Sequence, residues 1–135
     1  MMVWRFKKKR EMSGIDYLID TNILIYIIKG NQNVEYFAKS EILAISYITE
    51  MELFGKFQIS EAEKQIIGKV LKKCYIFEMD AQIKQYAINI KQQIKMKLPD
   101  AIIAATALKN NITLVTADND FKKVPKLDLV QINVS

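Results

Sequence analysis

The chain has 135 residues, of which 50% are hydrophobic, and this is the size of one compact domain. It contains no histidine and one cysteine, Cys74, which excludes Ser-His-Asp and Cys-His catalysis, histidine-ligated metals and an intramolecular disulfide. Carboxylates, lysines and hydroxyls remain for catalysis, and oxygen ligands of this kind favour Mg²⁺ or Mn²⁺.

The formal net charge of +5 is concentrated at the N-terminus, and the rest of the chain is nearly neutral. Residues 1–14 are interpreted as a basic leader that is disordered or not native, with a phosphate-binding arm as the alternative and Met12 as a possible start of translation. Residues 15–135 are expected to form a single domain. Neither a signal peptide nor a run of about 18 apolar residues is present, which predicts a soluble, cytoplasmic protein without a membrane span.

The predicted elements alternate between apolar strands and helices along the chain. Strands are expected at residues 17–20, 42–46, 74–77, 112–116 and, at the edge of the sheet, 127–132. Helices are expected at residues 21–29, 34–39, 49–57, 64–73 after a capping box at 60–63, 80–95, and from 98 onward with Pro99 in the first turn. This order predicts a three-layer α/β/α sandwich with a central, mostly parallel sheet of four to five strands.

Several acidic residues follow predicted strands, at the carboxyl edge of the sheet, where the functional sites of open parallel sheets usually lie. Asp20 ends the first strand. Glu50 and Glu52 follow the second strand, and Asp118 and Asp120 follow the fourth. Each acid also has an ordinary structural explanation, as a helix cap, an exposed helix residue or a turn former. Glu50 and Glu52 lie about 200° apart around a helix, and periodicity alone leaves the choice between them open.

Asp100 lies in the first turn of the most apolar predicted helix. Residues 101–107 are nearly all apolar, which predicts a helix that is buried on most sides. An acid there interacts well with the helix dipole, but a carboxylate at the mouth of a buried helix also needs a partner, either a nearby lysine or a bound cation. Carboxylates gathered at one rim raise one another's pKa unless a divalent cation neutralises them. The acids together therefore predict metal-dependent hydrolysis of a phosphate ester.

Four short motifs occur in a fixed order from about residue 17 to the end of the chain. They are DTN at 20–22, SYITEMELFG at 46–55, LPDAIIAA at 98–105 and TADNDF at 116–121. In this order and at these spacings they resemble the PIN-domain nucleases, specifically the VapC toxins of bacterial type II toxin–antitoxin systems. The basic leader lies outside the resemblance.

The resemblance implies an endoribonuclease that hydrolyses RNA phosphodiesters with a water activated by Mg²⁺ or Mn²⁺. The implied catalytic acids are Asp20, Glu52, Asp100 and Asp118. Asp20 and Asp100 would be direct metal ligands, and Glu52 a ligand or a water-orienting base. The family's acid precedes Leu and stands three residues after Thr, which selects Glu52 over Glu50. Because the family often has a longer spacing before its Asp-Phe, Asp118 is favoured as the fourth acid with Asp120 in support.

The remaining implications concern the surroundings of these acids and the partners of the protein. Residues expected to hold the carboxylates are Thr21, Asn22, Thr116 and Asp120. Lys91, Lys95 and Lys97 are candidates for the RNA backbone, with a solvated lysine-rich face as the alternative.

The family cleaves tRNA, rRNA or mRNA, usually forms homodimers, and is inhibited by a cognate VapB-like antitoxin whose C-terminal tail lies across the active-site groove. Apolar residues expected to serve the dimer or the antitoxin are Ile23, Ile27, Tyr36 and Phe37. Two other classes stay open at this point: a catalytically inactive PIN-fold interaction module and a receiver-like phosphoacceptor domain.

Overall fold

The structure is a computed structural model that describes residues 15–39 and 43–134. The interpretation of the basic leader, including a start at Met12, concerns residues outside this described part.

In the described part of the chain, five strands form one parallel sheet in the order β3-β2-β1-β4-β5. They are β1 (Tyr17–Ile19), β2 (Leu43–Ser46), β3 (Cys74–Phe77), β4 (Thr113–Thr116) and β5 (Leu129–Gln131). The predicted parallel sheet is confirmed, and the fifth strand lies at an edge as expected. Because the strands are parallel, the residues that follow β1, β2 and β4 all emerge at the same edge of the sheet.

Six α-helices and two short 3-10 helices connect the described strands. They are α1 (Thr21–Ile28), α2 (Glu35–Ala38), α3 (Tyr47–Phe54), α4 (Glu61–Leu71), α5 (Ala81–Gln93), α6 (Leu98–Asn110) and the 3-10 helices Gln32–Val34 and Asn119–Lys123. Helix α3 begins two residues earlier than predicted, because the Ser46 hydroxyl at the end of β2 accepts a hydrogen bond from the Ile48 N–H and caps the helix directly.

The other helix boundaries follow from local chemistry that the sequence displays. Ser60 and Glu63 form the predicted capping box of α4, each side chain accepting from the other's backbone N–H. Pro99 lies in the first turn of α6, and Asn111, which follows the last residue of this helix, adopts the left-handed conformation with φ of 55°, which asparagine tolerates. Helix α5 ends at Gln93 instead of near Lys95, because Ile94 adopts an extended conformation.

The core is divided between the two faces of the sheet, as the three-layer prediction requires. Within β1, Leu18 packs into one cluster with α5 and α6, while Ile19 packs into the other with α1. Leu114 and Val115 of β4 divide in the same way. Helix α6 is buried from Ala101 through Ala107. This burial fixes the direction of α6 and hence the position of its first turn.

Candidate active site

Asp20 is the only residue between β1 and α1, and it is anchored on three sides. Its backbone N–H donates to the carbonyl of Val115 in β4 at 3.2 Å. Its side chain caps α1, since Oδ1 accepts from the Ile23 N–H at 2.9 Å, and Oδ2 accepts from the Thr116 hydroxyl. Only 5% of Asp20 is exposed. Burial raises the pKa of Asp20 despite these two hydrogen bonds, and the charges of Asp118 and Glu52 raise it further.

Thr116, the buried last residue of β4, connects Asp20 to the following loop. While its hydroxyl donates to Asp20, the hydroxyl oxygen accepts from the Asp118 N–H at 3.0 Å. The Asp118 Oδ1 in turn accepts from the Asp120 N–H at 2.8 Å and caps the 3-10 helix that begins at Asn119. Asp118 therefore is a turn former and also lies in the electrostatic surroundings of Asp20.

The two acids of the fourth motif have different environments. Asp120 is exposed, and its carboxylate pairs with Lys123 at 3.2 Å. Asp118 is partly buried, and its charge raises the pKa of both Asp20 and Asp100. The structure thus brings Asp118 towards the other acids, whereas the side chain of Asp120 is engaged by a lysine.

Glu52 reaches the same region from α3. Its Oε1 accepts a hydrogen bond from the Thr21 hydroxyl at 2.6 Å, and Thr21 is the first residue of α1, next to Asp20. The Thr21 hydroxyl also lies 2.9 Å from the hydroxyl of Thr49, which is fully buried on α3. Between the two glutamates that periodicity could not separate, Glu52 is the one whose charge raises the pKa of Asp20 and Asp100.

Asp100, the third residue of α6, completes the group. Burial raises its pKa to about 6, and the charges of Asp118, Asp20 and Glu52 add to this effect, while Lys97 opposes it. The acids following β1, β2 and β4 are therefore close enough to act on an acid of α6. This electrostatic neighbourhood is made by four elements that are distant in sequence.

Comparison with known proteins gives a family for this arrangement. The PIN domain family model matches residues 17–127. The chain belongs to the PIN domain family. No curated protein sequence matches it significantly. The match to the PIN domain family argues against the receiver-like phosphoacceptor domain that was the alternative.

Solved structures of similar fold include several toxin–antitoxin complexes. A chain of the VapBC2 complex of Rickettsia felis, bound to a DNA fragment from its promoter, is 29% identical with a TM-score of 0.76, covering 88% of this chain and 99% of that one. A chain of a toxin–antitoxin complex from Klebsiella pneumoniae is 32% identical with a TM-score of 0.73, covering 86% and 97%. A chain of VapBC-1 from nontypeable Haemophilus influenzae is 25% identical with a TM-score of 0.74, covering 87% and 97%.

PIN-domain nucleases generally use divalent metals, and the donors in this chain suit such ions. Four acids, Asp20, Glu52, Asp100 and Asp118, here called the PIN acids, offer carboxylate oxygens, the ligands that Mg²⁺ and Mn²⁺ prefer. A cation would also relieve the like charges that raise the pKa of Asp100. Within residues 15–39 and 43–134, no three acidic or cysteine side chains already surround one point as a metal centre would require. The PIN acids therefore fit a divalent cation by their chemistry and their charge.

The remaining expected site residues differ in how they relate to the PIN acids. Thr21 and Thr116 donate to Glu52 and Asp20 as described, and the backbone of Asp120 holds Asp118. Asn22 is exposed, and among the described residues no hydrogen bond connects its side chain to the acids.

The three lysines expected at the RNA backbone are all exposed, but they have different surroundings. Lys97 lies near enough to Asp100 to lower its pKa. Lys91 donates to the Met96 carbonyl at 2.6 Å, and thereby braces the loop that leads into α6. Lys95 shares this loop.

The expectation that Ile23 and Phe37 serve a partner surface is wrong. Ile23 is fully buried and Phe37 is 8% exposed, and both pack in the core cluster on the α1 face of the sheet. Tyr36 is 72% exposed, and Ile27 is partly buried against the same cluster. The apolar face of α1 packs against the sheet, and only residues on the outer side of the helix remain available for a partner.

A groove of about 380 Å³ borders Glu52, between α1, α3 and α4. Its apolar lining residues are Ile25, Ile28, Leu53, Ile66 and Ile67, and its charged ones are Lys29, Glu52, Lys56 and Glu63.

In the described part of the chain, no helix has both the length and the apolar character needed to cross a lipid bilayer.

Sequence reasoning did not select Thr49 as a residue of the site. The signal was present, because Thr49 stands one helical turn before Glu52 and therefore on the same side of α3. What the sequence could not show is that Thr21 of α1 lies between these two side chains.

Proposed function

We propose that this PIN-domain chain is a metal-dependent endoribonuclease and the toxin of a toxin–antitoxin system, acting on RNA with Mg²⁺ or Mn²⁺. The observation that carries the proposal is that the charges of Asp118, Asp20 and Glu52 all raise the pKa of Asp100. Family membership supports the nuclease activity, and the similarity to chains of toxin–antitoxin complexes supports the biological role.

Asp20 and Asp100 would bind the cation directly, with Glu52 as a further ligand or as the base that orients the attacking water. When bound to these residues, a divalent ion would supply a lower pKa for its water and would offset the negative charge that develops on the leaving oxygen. The protein's part is to keep the carboxylates in place. Thr116 holds Asp20 and Thr21 holds Glu52 by hydrogen bonds, while the buried α6 holds Asp100.

The RNA backbone would approach the site along the loop between α5 and α6. Lys97 and Lys95 are exposed there, and lysine is a usual ligand of phosphate oxygens. Lys91 contributes through the loop instead, because its ammonium group already donates to the Met96 carbonyl.

A VapB-like antitoxin is the proposed protein partner. The matched structures from Rickettsia felis and Haemophilus influenzae are VapBC complexes. The apolar groove that borders Glu52 is suited to a peptide with apolar side chains lying beside the acids. A homodimer and a cytoplasmic location complete the proposal.

The test replaces each proposed metal ligand by its neutral isostere. Asp20→Asn and Asp100→Asn should each lower Mn²⁺-dependent RNA cleavage by at least about 100-fold and abolish growth arrest, because a ligand loss should exceed the effect of losing an outer-shell partner. Circular dichroism should show an unchanged fold. Glu61→Gln, an exposed acid of α4, is the control and should cleave normally. Full activity in both aspartate variants would contradict the metal assignment.

A further inference from the structure

Three side chains form a hydrogen-bonded chain between α3 and α1. The Thr21 hydroxyl oxygen lies 2.6 Å from Glu52 Oε1 and 2.9 Å from the Thr49 hydroxyl oxygen. A carboxylate can only accept hydrogen bonds, and a hydroxyl has one proton to donate. Thr21 therefore donates to Glu52, and Thr49 must be the donor to Thr21. The negative charge of Glu52 therefore fixes the direction of both hydrogen bonds.

Burial decreases in the direction in which the hydrogen bonds run. Thr49 is fully buried, Thr21 is partly buried and Glu52 is exposed. A glutamate at an exposed helical position normally samples many rotamers and loses that freedom when it is ordered. The hydroxyls of Thr21 and Thr49 thus connect the glutamate, a flexible type of side chain, to a buried position of α3.

Another buried helical threonine shows what Thr49 does differently. In α6, the hydroxyl of Thr106 is also buried and donates to the Ile102 carbonyl at 2.7 Å, within its own helix. This is the usual way for a threonine within a helix to satisfy its hydroxyl. Thr49 instead bonds to a side chain of another helix, so its hydroxyl couples the positions of α1 and α3.

We propose that Thr49 is a positioning residue for Glu52, acting through the hydroxyl of Thr21. The proposal rests on the proposed nuclease function, in which Glu52 binds the ion or orients water. Because Thr49 donates a hydrogen bond to the Thr21 hydroxyl oxygen, Thr21 does not donate back to Thr49, and its own hydrogen stays on Oε1 of Glu52 and keeps that oxygen in place. The other carboxylate oxygen, Oε2, is then the one presented to a water or ion.

Kinetics of RNA cleavage with Mn²⁺ provide the first test. Thr49→Val keeps the shape of the side chain but removes the donor, and it should lower kcat about five-fold with KM unchanged, the size of one modest hydrogen bond. Thr49→Ser should restore most of the activity, because it keeps the hydroxyl. Thr106→Val is the matched control in α6 and should leave kcat unchanged.

A double-mutant cycle separates positioning from general packing. In a Thr21→Val background, Thr49→Val should have no further effect on kcat, because the link to Glu52 is already broken. An equal loss of kcat in both backgrounds would overturn the proposal, as would full activity of Thr49→Val. Melting temperatures of all variants identify any loss that results from unfolding.

A second measurement does not depend on cleavage. In protein labelled with ¹³C at the glutamate carboxyl, the Glu52 resonance is identified by its absence in Glu52→Gln. At fixed pH and without metal, Thr21→Val and Thr49→Val should both shift this resonance, and Thr106→Val should not. A wild-type chain that cleaves no RNA would refute the proposed function alone. An unmoved Glu52 resonance in both variants would refute the positioning role.

Discussion

Asp20 and Asp100 are brought to the same region by opposite means. Asp20 sits at a strand end with each carboxylate oxygen in a hydrogen bond, from the Ile23 N–H and from the Thr116 hydroxyl. Asp100 sits on a helix whose next seven residues are buried, and like charges surround its carboxyl group. One acid is positioned by bonds to its own oxygens, and the other by the packing of the helix that carries it. Different substitutions should therefore displace them.

The largest effect should come from loosening α6 beneath Asp100. Ile103→Ala removes a side chain that is 2% exposed and should lower the free energy of unfolding by about 3 kcal/mol, the usual cost of such a cavity. Urea titration measures this loss. Leu98→Ala is the control on the same helix, because Leu98 is 56% exposed and its loss should cost under about 0.5 kcal/mol. Equal losses would mean that packing does not fix α6.

A smaller effect should follow from removing the hydroxyl that bonds to Asp20. Thr116→Val leaves a buried carboxylate with one donor fewer and should lower the free energy of unfolding by about 2 kcal/mol at pH 7.5. Thr113→Val is a close control in the same strand, since the buried Thr113 hydroxyl has no hydrogen-bond partner among the described residues. That variant should be neutral or more stable. If the two valines behave alike, the Thr116 bond does not anchor Asp20.

The smallest effect should be a gain in stability at Asp100. In the folded chain the pKa of Asp100 is raised from 3.8 to about 6, so ionising it costs folding free energy as the pH rises through this window. Asp100→Asn should therefore be more stable than the wild type at pH 7.5, by about 1 kcal/mol after allowing for solvent screening of a half-buried group.

The pH dependence of that gain distinguishes charge from packing. Below about pH 3 the Asp100 carboxyl is neutral in the folded and the unfolded chain, and the difference between the two proteins should disappear. Thermal melts at pH 3 and pH 7.5 measure both values. A gain of the same size at both pH values would show that like charges are not its cause.

The sequence predicted the sheet and helices well, because apolar runs and capping residues are local signals. The capping box at Ser60 and the proline in the first turn of α6 needed no tertiary information. Helix α3 starts two residues earlier than the sequence pattern predicts, since Ser46 is both the last strand residue and the helix cap. Such a double role is not visible in hydrophobic periodicity.

The candidate site was less accessible to sequence reasoning alone. Periodicity does not choose between Glu50 and Glu52, whereas the family pattern selects Glu52, and in the structure Glu52 accepts a hydrogen bond from Thr21. The sequence leaves Asp118 as either a turn former or a site acid; in the structure it caps a short helix, and its charge raises the pKa of Asp100. Contacts between α1 and α3 lie 28 and 31 residues apart in sequence, beyond the reach of local patterns.

The connections at the sheet edge add a requirement on chain length. Asp20 alone separates β1 from α1, and α3 follows β2 without an intervening residue. One residue inserted at either junction would turn the helix by about 100° relative to its strand and carry Thr21 or Glu52 to another side. Substitution tolerance and insertion tolerance should therefore differ sharply here. At these two junctions the number of residues is as much a part of the site as their chemistry.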